Sequence, residues 1–533
     1  MTDDTGSTSY DEVPYPSLSY AQSHPDRLAT VATILGVKPA PIEHCRVLEL
    51  GCAGGGNIIP MALGLPKGEF VGIDYAARQI ARGREMVDAL QLGNISLVQS
   101  NLLDLDASLG QFDYVIAHGV FSWVSRPVQE KLLEICSQNL APSGVAYVSY
   151  NTFPGWYYTG MMREMMVYHT RRIREPRERV ARARRFADFM AEAVPAEESV
   201  YGYLVNQYAR FLRGEVDGGR PADDALLLHD ELEEVNGAIF FSQFAERAAR
   251  HGLQYLGEAE FCTMMTSSFP DHVSRALDEM ANDVIELEQY VDFVRNRALR
   301  QTLLCHEDVP IHRQITLRSI PSLYVASRAR PVQPGPDLHA VEVAEFRISD
   351  GATMSTEHPV TKEAMLYLSQ AWPRPVPFGE LLARSRSRLG LVRADAARDG
   401  QMLAANLMTA YGYSGKLVEL HVYAPQMAVE VSERPVASPL ARLQARENVQ
   451  VTNLRHERVT IDAFERCLLP YLDGHHDLGD LVDALEAGPV AEGALVLGEN
   501  PGAIGGQPEV RGILAQETRK LLRWLARAAL LTG

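Results

Sequence analysis

The sequence predicts an α/β fold in which helices cover both faces of a parallel sheet. Within the first 165 residues lie five short runs rich in β-branched and apolar residues, at 46–50, 69–74, 95–100, 112–117 and 145–150. Stretches with helical patterning separate these runs, as at 75–90 and 127–140. Apolar strands that alternate with helices form parallel sheets buried on both faces. Ligands of such sheets bind beyond the carboxyl ends of the strands, so we expect a site there.

The composition indicates a globular protein of several domains. The chain has 533 residues, of which 46% are hydrophobic. This length suffices for about three or four domains of ordinary size. The formal net charge of −17 argues against non-specific nucleic-acid binding, because such binding needs Lys and Arg to neutralise phosphates. We therefore expect no nucleic-acid partner.

Three features of the sequence favour a cytoplasmic protein. It contains no run of about 18 apolar residues, so no membrane span is expected. The opening stretch MTDDTGSTSYDEVPYP is acidic and polar, unlike a secretory signal. The six cysteines are scattered without a CxxC pair, which is typical of a reduced cytosolic protein rather than of a disulfide framework or a zinc site. We predict no metal ligands.

A glycine-rich loop, VLELGCAGGGNIIP at 47–60, follows the first predicted strand and precedes a helix that opens near Asn57. A P-loop needs Lys directly after the glycine that is Gly56 in this chain, but Asn57 holds that position. A dinucleotide loop needs Gly where Ala53 stands, because the backbone must approach the pyrophosphate there. S-adenosylmethionine has no phosphate and fits the loop better. The alternative interpretation is a glycine-rich turn that binds no ligand.

The second predicted strand ends in an acid that suits a nucleoside. S-adenosylmethionine needs a tight turn under its amino-acid moiety, amides for its carboxylate and an acid at the second strand end for its ribose hydroxyls. The sequence VGID ends in Asp74, about 20 residues beyond the loop, which is the spacing of a ribose-binding acid. The loop and Asp74 together favour S-adenosylmethionine as the cofactor.

Later strand ends add polar and aromatic residues. Asn101 and Leu102 follow the third strand, where they would flank an adenine, although Asn101 also suits a turn. After the fourth strand, AHGVFSWV would direct His118 towards the methyl group and place Phe121 and Trp123 at the wall of the site. Aromatic faces stabilise cations such as a sulfonium. Packing against a helix is the alternative role for Trp123, and for Trp156 in SYNTFPGWYY.

Four segments of the N-terminal third carry distinctive motifs: YDEVPYPSLSYAQSHPDRLA, LELGCAGGGNIIPMA, HGVFSWV and YNTFPGW. Two later segments, HDELEEVNGAIFFSQFAERAARHGLQYLGEAEF and EQYVDFVRNRALRQTLLCH, continue the pattern. Together they resemble the class I methyltransferases that carry a methyltransferase regulatory domain, whose best-known members are the rickettsial outer-membrane-protein lysine methyltransferases. The resemblance implies a Rossmann-like class I methyltransferase sheet and S-adenosyl-L-methionine as cofactor. It does not by itself fix the acceptor.

The same resemblance implies which residues hold the cofactor. By this comparison Tyr10, Tyr15 and Pro16 belong to an N-terminal segment that folds over it. The full set of predicted cofactor-binding residues is Tyr15, Glu49, Gly51, Cys52, Ala53, Gly54, Asn57, Asp74, Asn101, Leu102 and His118.

The expected reaction is in-line displacement of a methyl group from sulfonium to a nucleophile, which depends on alignment more than on acid–base power. A lysine amine has a reference pKa of about 10.4 and is mostly protonated at neutral pH. Burial and aromatic walls would favour its neutral, nucleophilic form. The residues predicted to orient the acceptor or to wall the site are His118, Trp123, Tyr150 and Asn151.

The middle of the chain is expected to complete the sheet. A class I methyltransferase sheet has seven strands, and five are visible before residue 165. We predict the missing pair at 253–259 and 314–319, so that 157–235 is a helical insertion. The prediction for 253–259 fails if that strand lies outside the first sheet.

Two clusters of charged residues lie in the insertion. The Arg-rich stretch TRRIREPRERVARARRF suits a solvated helix, with a basic binding patch as the alternative. His229, Asp230 and Glu231 are consecutive, so their side chains diverge. A helix surface or a substrate cleft is therefore favoured over a metal site for this triplet.

The chain is predicted to divide into four segments. They are a methyltransferase core at 1–165, a helical insertion and regulatory region at 166–326, and winged-helix-like α+β domains at 340–425 and 441–533. Pro-rich linkers separate the later segments. Neither winged-helix-like domain has a cluster of Lys or Arg residues suited to the major groove of DNA, so we expect these domains to bind protein or to support the structure. The Gly- and Pro-rich stretch 486–510 is expected to be a surface loop.

Three functions stay open on the sequence alone. The first is methylation of a protein lysine, the second is methylation of a small molecule by the same fold, and the third is a regulatory protein that binds the cofactor without catalysis. Several domains and a wide helical insertion suit a large acceptor, and the intact loop with Asp74 argues against the third function. The insertion is also compatible with a homodimer.

Overall fold

A computed structural model describes residues 13, 15–215, 223–339, 342–391, 395–495 and 508–532 of the protein. Tyr10 and part of the predicted surface loop at 486–510 lie outside these residues. Among the described helices, none is both long and apolar enough to cross a membrane.

A seven-stranded sheet forms the centre of the N-terminal half of the described chain. Its strands are β1 (Arg46–Leu50), β2 (Glu69–Asp74), β3 (Ile95–Gln99), β4 (Phe112–Ala117), β5 (Leu140–Asn151), β6 (Leu253–Glu258) and β7 (Leu299–His306). They lie in the order β3-β2-β1-β4-β5-β7-β6. The first five strands pair in parallel, and β7 runs antiparallel to both β5 and β6. This arrangement confirms the predicted Rossmann-like α/β fold.

Helices pack on both faces of the sheet. In chain order, the helices of this half of the described chain are α1 (Pro25–Ile34), α2 (Ile58–Gly64), α3 (Ala77–Ala89), α4 (Arg126–Gln138), α5 (Trp156–Thr170), α6 (Pro176–Ala193), α7 (Val200–Leu212), α8 (Phe241–Ala249), α9 (Asp271–Met280) and α10 (Val284–Arg295). Val47 of β1 joins α1 and α2 in one buried cluster, whereas Leu48 joins α4 and α8 in another. Successive strand residues point to opposite faces, so these clusters are the two sides of the sheet.

The return of the chain to the sheet was predicted correctly for one strand and wrongly for the other. The strand predicted at 253–259 is β6 and lies in the main sheet. The prediction of the last strand at 314–319 is wrong, because that strand is β7 and 314–319 consists of turns and irregular chain. Strand β7 is difficult to recognise as a buried strand because it contains Arg300, whose fully buried guanidinium pairs with Glu258 and Asp292.

Helices α5, α6 and α7 fill the region predicted as a helical insertion. They share a buried cluster with Leu227 and Leu228, which lie in a π-helical turn, Leu227–Glu231. Turns of this type are rare and widen the helix locally, often at functional sites. The turn brings the insertion back towards the carboxyl end of β5, where Ile239 N–H donates to the Asn151 carbonyl at 3.1 Å.

The C-terminal part combines small sheets with short helices. Its strands are β8 (Tyr324–Ala326), β9 (Arg330–Pro331), β10 (Ala344–Arg347), β11 (Thr353–Thr356), β12 (Val376–Pro377), β13 (Glu419–His421), β14 (Gln450–Thr452) and β15 (Arg458–Thr460). Its helices are α11 (Pro359–Ala371), α12 (Phe378–Arg388), α13 (Ala396–Tyr413), α14 (Pro439–Gln444), α15 (Ala463–Leu468), α16 (Leu478–Leu485) and α17 (Pro508–Arg527). Strand β8 pairs with β12 and β13, and β14 and β15 form an antiparallel hairpin.

Candidate active site

A cavity of about 760 Å³ lies at the carboxyl ends of the parallel strands. The predicted cofactor-binding residues that line it are Tyr15, Glu49, Gly51, Cys52, Ala53, Asn57, Asp74, Asn101, Leu102 and His118. Gly54 does not line the cavity. A Cβ at Gly54 would contact Ser17 and Gln79, so this glycine allows close packing behind the loop.

The glycine-rich loop turns sharply and is tied to the second strand. Gly51 has a φ of +74°, which is the left-handed region that favours glycine. Ala53 has a φ of +47°, and its N–H donates to Asp74 Oδ2 at 2.8 Å. The other carboxylate oxygen of Asp74 accepts from the Ala76 N–H at 2.8 Å. These bonds hold the Asp74 carboxylate at the edge of the cavity, directly beside the loop.

Glu49 is a buried carboxylate in the wall of the cavity, with 3% of its surface exposed. Asn57 Nδ2 donates to Glu49 Oε1 at 2.6 Å, whereas Oε2 is buried with no hydrogen-bond partner among the described residues. Burial, opposed by Asn57 and assisted by the charge of Asp74, raises the pKa of Glu49 to about 7. An orphaned carboxylate oxygen at this place fits the α-ammonium group of S-adenosylmethionine.

A segment formed by residues 15–23, which we name the strap, lies against the glycine-rich loop. Gly56 N–H donates to Ser17 Oγ at 2.7 Å, and Tyr20 N–H donates to Asn57 Oδ1 at 2.9 Å. A Cβ at Gly56 would lie 2.3 Å from the Ser17 carbonyl carbon, so only glycine permits this approach. The strap contains Tyr15 and Pro16, and both line the cavity.

His118 follows β4 and lies between two tyrosines. Its Nδ1 is 2.9 Å from the Tyr147 hydroxyl, and its ring centroid is 3.7 Å from that of Tyr20. Burial, assisted by the charge of Arg458, lowers the pKa of His118 to about 4. The imidazole is therefore neutral at physiological pH, and these two contacts fix its orientation in the cavity wall.

The predicted acceptor residues on β5 separate by strand alternation. Asn151 lines the cavity. Of the two predicted wall residues after β4, Trp123 lines the cavity with its Nε1 buried and without a partner among the described residues, whereas the prediction for Phe121 is wrong, because its side chain is buried in the core beside Phe244. Tyr150 does not line the cavity, and its predicted role in orienting the acceptor is corrected: it is fully buried on the opposite face of the strand. Its hydroxyl lies 2.9 Å from Thr302 Oγ1 and its ring stacks on Phe244.

Three carboxylates from the insertion also line the cavity, namely Asp230, Glu231 and Glu233. The Tyr15 hydroxyl is 3.4 Å from Asp230 Oδ1, which links this acidic group to the strap. Burial raises the pKa of Asp230 to about 6 and that of Glu231 to about 7. The neighbouring His229 points away, with Nε2 at 2.6 Å from the Val13 carbonyl. The side chains of the triplet thus diverge, and two of them reach the cleft.

Sequence reasoning missed several residues of the cavity wall. Ser17, Tyr20 and Gln79 line it, and so does Glu233. Ser17 and Tyr20 belong to the motif YDEVPYPSLSYAQSHPDRLA, but nothing local in the sequence places this motif against the loop. Gln79 lies on α3, where its Nε2 donates to the Tyr15 carbonyl at 3.2 Å. Helical periodicity assigns such a residue to a face without naming its partner.

Comparison with known families supports the assignment of this site. Residues 42–180 match a methyltransferase domain, and residues 223–306 match a predicted methyltransferase regulatory domain. Residues 433–530 match the C-terminal winged-helix domain of PKMT proteins.

Relatives and a solved structure match large parts of the chain. An uncharacterised protein of Rickettsia prowazekii is 33% identical, over 94% of this chain and 90% of the relative. A second uncharacterised protein of that organism is 35% identical over 48% of this chain and 100% of the relative. The structure of PKMT2 from Rickettsia typhi in complex with AdoHcy superposes with a TM-score of 0.84 at 28% identity, covering 98% of this chain and 100% of PKMT2.

The sheet order, the glycine-rich loop and the acid at the second strand define a class I S-adenosylmethionine-dependent methyltransferase. Within that class, the chain belongs to the same family as the 33% identical Rickettsia prowazekii relative, and a methyltransferase regulatory domain and a C-terminal PKMT winged-helix domain accompany its catalytic domain. S-adenosylmethionine is its cofactor.

Proposed function

We propose that this methyltransferase transfers methyl groups to the side-chain amine of lysine in a protein substrate. The observation that carries the proposal is the acidic group Asp230, Glu231 and Glu233, which lines the same cavity as the glycine-rich loop. Carboxylates in a low-dielectric cleft attract an ammonium group and repel an anionic acceptor. A cationic side chain is therefore the acceptor that this cavity favours.

The cavity residues divide between cofactor and acceptor in this proposal. Asp74 binds the ribose hydroxyls, Glu49 binds the α-ammonium group, and Asn101 with Leu102 flanks the adenine. Gly51, Cys52, Ala53 and Asn57 of the loop and Tyr15 of the strap make further contacts with the cofactor. When bound, S-adenosylmethionine supplies an electrophilic methyl group on a sulfonium. Aromatic rings of Tyr15, Tyr20, Trp123 and Trp156 line the cavity and suit a cationic centre.

The acidic group also offers a place for the proton that the lysine must lose. Only the neutral amine is a nucleophile, and its reference pKa is about 10.4. Asp230 and Glu231 have raised pKa values of about 6 and about 7, so either carboxylate is a better base than an exposed one. Glu231 has the higher pKa of the two, whereas Asp230 is the carboxylate held beside the strap, with its Oδ1 3.4 Å from the Tyr15 hydroxyl. His118 and Asn151 would orient the neutral amine.

A protein acceptor is favoured over a small molecule by the domain composition. The matched winged-helix domain and the similar Rickettsia typhi structure both carry the name PKMT. The sequence also resembles the rickettsial lysine methyltransferases. The regulatory and C-terminal domains supply surface beyond what a small acceptor needs. The expected cytoplasmic location and the possible homodimer belong to this proposal as well.

The direct test is transfer of a labelled methyl group to proteins of the source cell. Labelled S-adenosylmethionine is incubated with the enzyme and a cell extract, and the labelled proteins are hydrolysed with acid. The proposal predicts label in N-methyllysine, and loss of label when the lysines of the extract are acetylated beforehand. Label confined to small molecules, or recovered on another amino acid, contradicts it.

Substitutions of the acidic group test its role separately. Asp230→Asn should raise the KM for the protein acceptor by roughly tenfold or more, because an unfavourably solvated ammonium loses its partner. The affinity for S-adenosylhomocysteine should stay within about twofold, since the side-chain oxygen of Asn can still accept from the Tyr15 hydroxyl and the other cofactor contacts are distant. Glu234→Gln is the matched control, because Glu234 is exposed and does not line the cavity. Equal effects of both substitutions would remove the proposed role of Asp230.

A further inference from the structure

The hairpin of residues 450–460, built from β14 and β15, reaches from the winged-helix domain to the back of the cofactor site. Thr452 Oγ1 lies 3.3 Å from Ser19 Oγ of the strap. The guanidinium of Arg458 lies 5.8 Å from the ring centroid of Tyr20. At the tip of the hairpin, His456 Nε2 is 2.8 Å from Asn57 Oδ1. The strap is thus held between the hairpin on one side and the glycine-rich loop on the other.

His456 is held in place by an unusual backbone conformation and by burial. Its φ is +62°, and 5% of its surface is exposed. Burial lowers the pKa of His456 well below its ordinary value, so the ring is neutral. A neutral imidazole has one N–H donor. Because Asn57 Oδ1 is an acceptor, that hydrogen lies on Nε2, and His456 donates to Asn57.

Donors on Oδ1 decide which way the Asn57 amide faces. Oδ1 accepts from His456 Nε2–H and from the Tyr20 N–H at 2.9 Å. A reversed amide would set its NH₂ group against the Tyr20 N–H and its oxygen against the Glu49 carboxylate, so this orientation holds and His456 adds a second donor to Oδ1. Nδ2 is therefore directed to Glu49 Oε1 at 2.6 Å and to Ser23 Oγ at 3.0 Å. With Oε1 engaged by Asn57, Oε2 is the oxygen of Glu49 left for a ligand.

We propose that His456 is a positioning residue for the cofactor, which acts through Asn57 to orient Glu49 and makes the winged-helix domain part of the cofactor site. The contact joins residues almost 400 positions apart, with a sequence separation of 399. It gives the C-terminal domain a direct influence on the affinity for the cofactor, whichever acceptor the enzyme uses. The proposal rests on the role of Glu49 at the α-ammonium group, and the experiment below separates the two.

The test measures the affinity of the full-length protein for S-adenosylhomocysteine by isothermal titration calorimetry. His456→Ala should raise the Kd by about tenfold, because the amide of Asn57 loses a donor that fixes its direction. His456→Gln should recover most of the affinity, since Gln Nε2 can donate to the same oxygen. His475→Ala is the matched control, because His475 is an exposed histidine of the same domain.

A second ligand distinguishes positioning from a general loss of structure. Methylthioadenosine carries the nucleoside and the sulfur but lacks the amino-acid moiety. Its Kd should be the same for the wild type and for His456→Ala, because Glu49 has no ammonium group to bind. An equal loss of affinity for both ligands would show that His456 only supports the fold, and would overturn the proposal.

The remaining outcomes separate the positioning role of His456 from the role of Glu49 in binding the cofactor. If Glu49→Gln weakens S-adenosylhomocysteine while His456→Ala does not, Glu49 binds the cofactor but His456 does not position it. If Glu49→Gln leaves the Kd for S-adenosylhomocysteine unchanged, Glu49 does not bind the α-ammonium group, and His456 cannot act on the cofactor through it. In an Asn57→Ala background, the substitution of His456 should add no further loss, because the two residues act in series.

Discussion

Glu49 shows at the scale of one residue how binding and stability oppose each other. Its folded-state pKa is about 7 and its ordinary value is 4.5, so the folded protein holds the proton more tightly than the unfolded chain does. Between these values the free energy of unfolding falls as the pH rises. Above pH 7 the ionised, buried carboxylate costs about 3 kcal/mol, a cost that a bound ammonium group would offset.

Replacement of Glu49 should therefore stabilise the free enzyme and weaken the cofactor complex. For Glu49→Gln we expect a higher melting temperature than wild type at pH 8 and little difference at pH 4, where the wild-type carboxyl is protonated in both states. The Kd for S-adenosylhomocysteine should rise by roughly tenfold or more at pH 8. Thermal unfolding and calorimetric titration check both parts. A lower melting temperature at pH 8 would contradict the assigned cost of the buried charge.

His118 offers a contrasting residue, because the proposed function assigns it to the acceptor rather than to the cofactor. His118→Ala should lower the turnover number by roughly ten- to a hundredfold, since misplacement of the acceptor is costly in an alignment-dependent reaction. The Kd for S-adenosylhomocysteine should change by less than about threefold. Initial rates and calorimetry on the same preparation measure the two effects. A large loss of affinity with unchanged turnover would refute the role.

At the scale of elements, the strap and the glycine-rich loop form one unit. Their closeness depends on Gly56, where a Cβ would lie 2.3 Å from the Ser17 carbonyl carbon. No local pattern in the sequence indicates this contact, because the strap is separated from the loop by α1 and β1. The same holds for the π-helical turn that carries Asp230, whose position follows from packing of the insertion.

Gly56→Ala should push the strap away from the loop. We expect the Kd for S-adenosylhomocysteine to rise by about tenfold, because overpacking at this point displaces the backbone of Ser17. The control is Gly64→Ala on α2, where an added Cβ has no atom within 4 Å. Calorimetric titration of both variants decides the matter. Unchanged affinity of Gly56→Ala would mean that the strap is not part of the cofactor site.

At the scale of the whole molecule, buried charges fasten the C-terminal part to helix α1. Glu419 on β13 pairs with both Arg27 and Arg455, and His421 Nδ1 lies 2.6 Å from Asp26 Oδ2. Burial alone would raise the pKa of Glu419, but Arg455 and Arg27 hold it at about 2. The carboxylate is thus ionised at physiological pH, and its removal would leave the buried guanidinium of Arg455 and the partly buried one of Arg27 without their shared partner.

Loss of this partner should be severe. Glu419→Gln is expected to destabilise the protein by about 3–5 kcal/mol at pH 7. The contribution of Glu419 is present above pH 4.5, its ordinary pKa, and disappears as the pH falls towards 2. Urea unfolding at pH 7 checks the loss, with the exposed Glu430→Gln as control. A midpoint equal to that of the control would contradict the importance of the buried pairs.

The sequence predicts those parts of the molecule that depend on local order along the chain. The five parallel strands, the loop at Gly51 and the acid Asp74 follow from spacing and strand ends, and the structure brings them together at one cavity. Strand β7 was predicted at the wrong place because it contains Arg300, a charged residue that the structure buries and pairs with Glu258. Tyr150 was wrongly assigned to the site because neighbouring residues of a strand face opposite sides, and the sequence does not show which side faces the cavity. The role of His456 could not be predicted from the sequence, because its contact with Asn57 joins residues that are 399 positions apart.

The central claim is that one cavity holds the cofactor between the glycine-rich loop, Glu49 and Asp74. A crystal structure of the full-length protein with S-adenosylhomocysteine tests this most directly. We predict the ribose on Asp74, the α-ammonium group within hydrogen-bond distance of Glu49 Oε2, and the strap in contact with the ligand. A nucleoside bound elsewhere, or an amino-acid moiety directed away from Glu49, would contradict it.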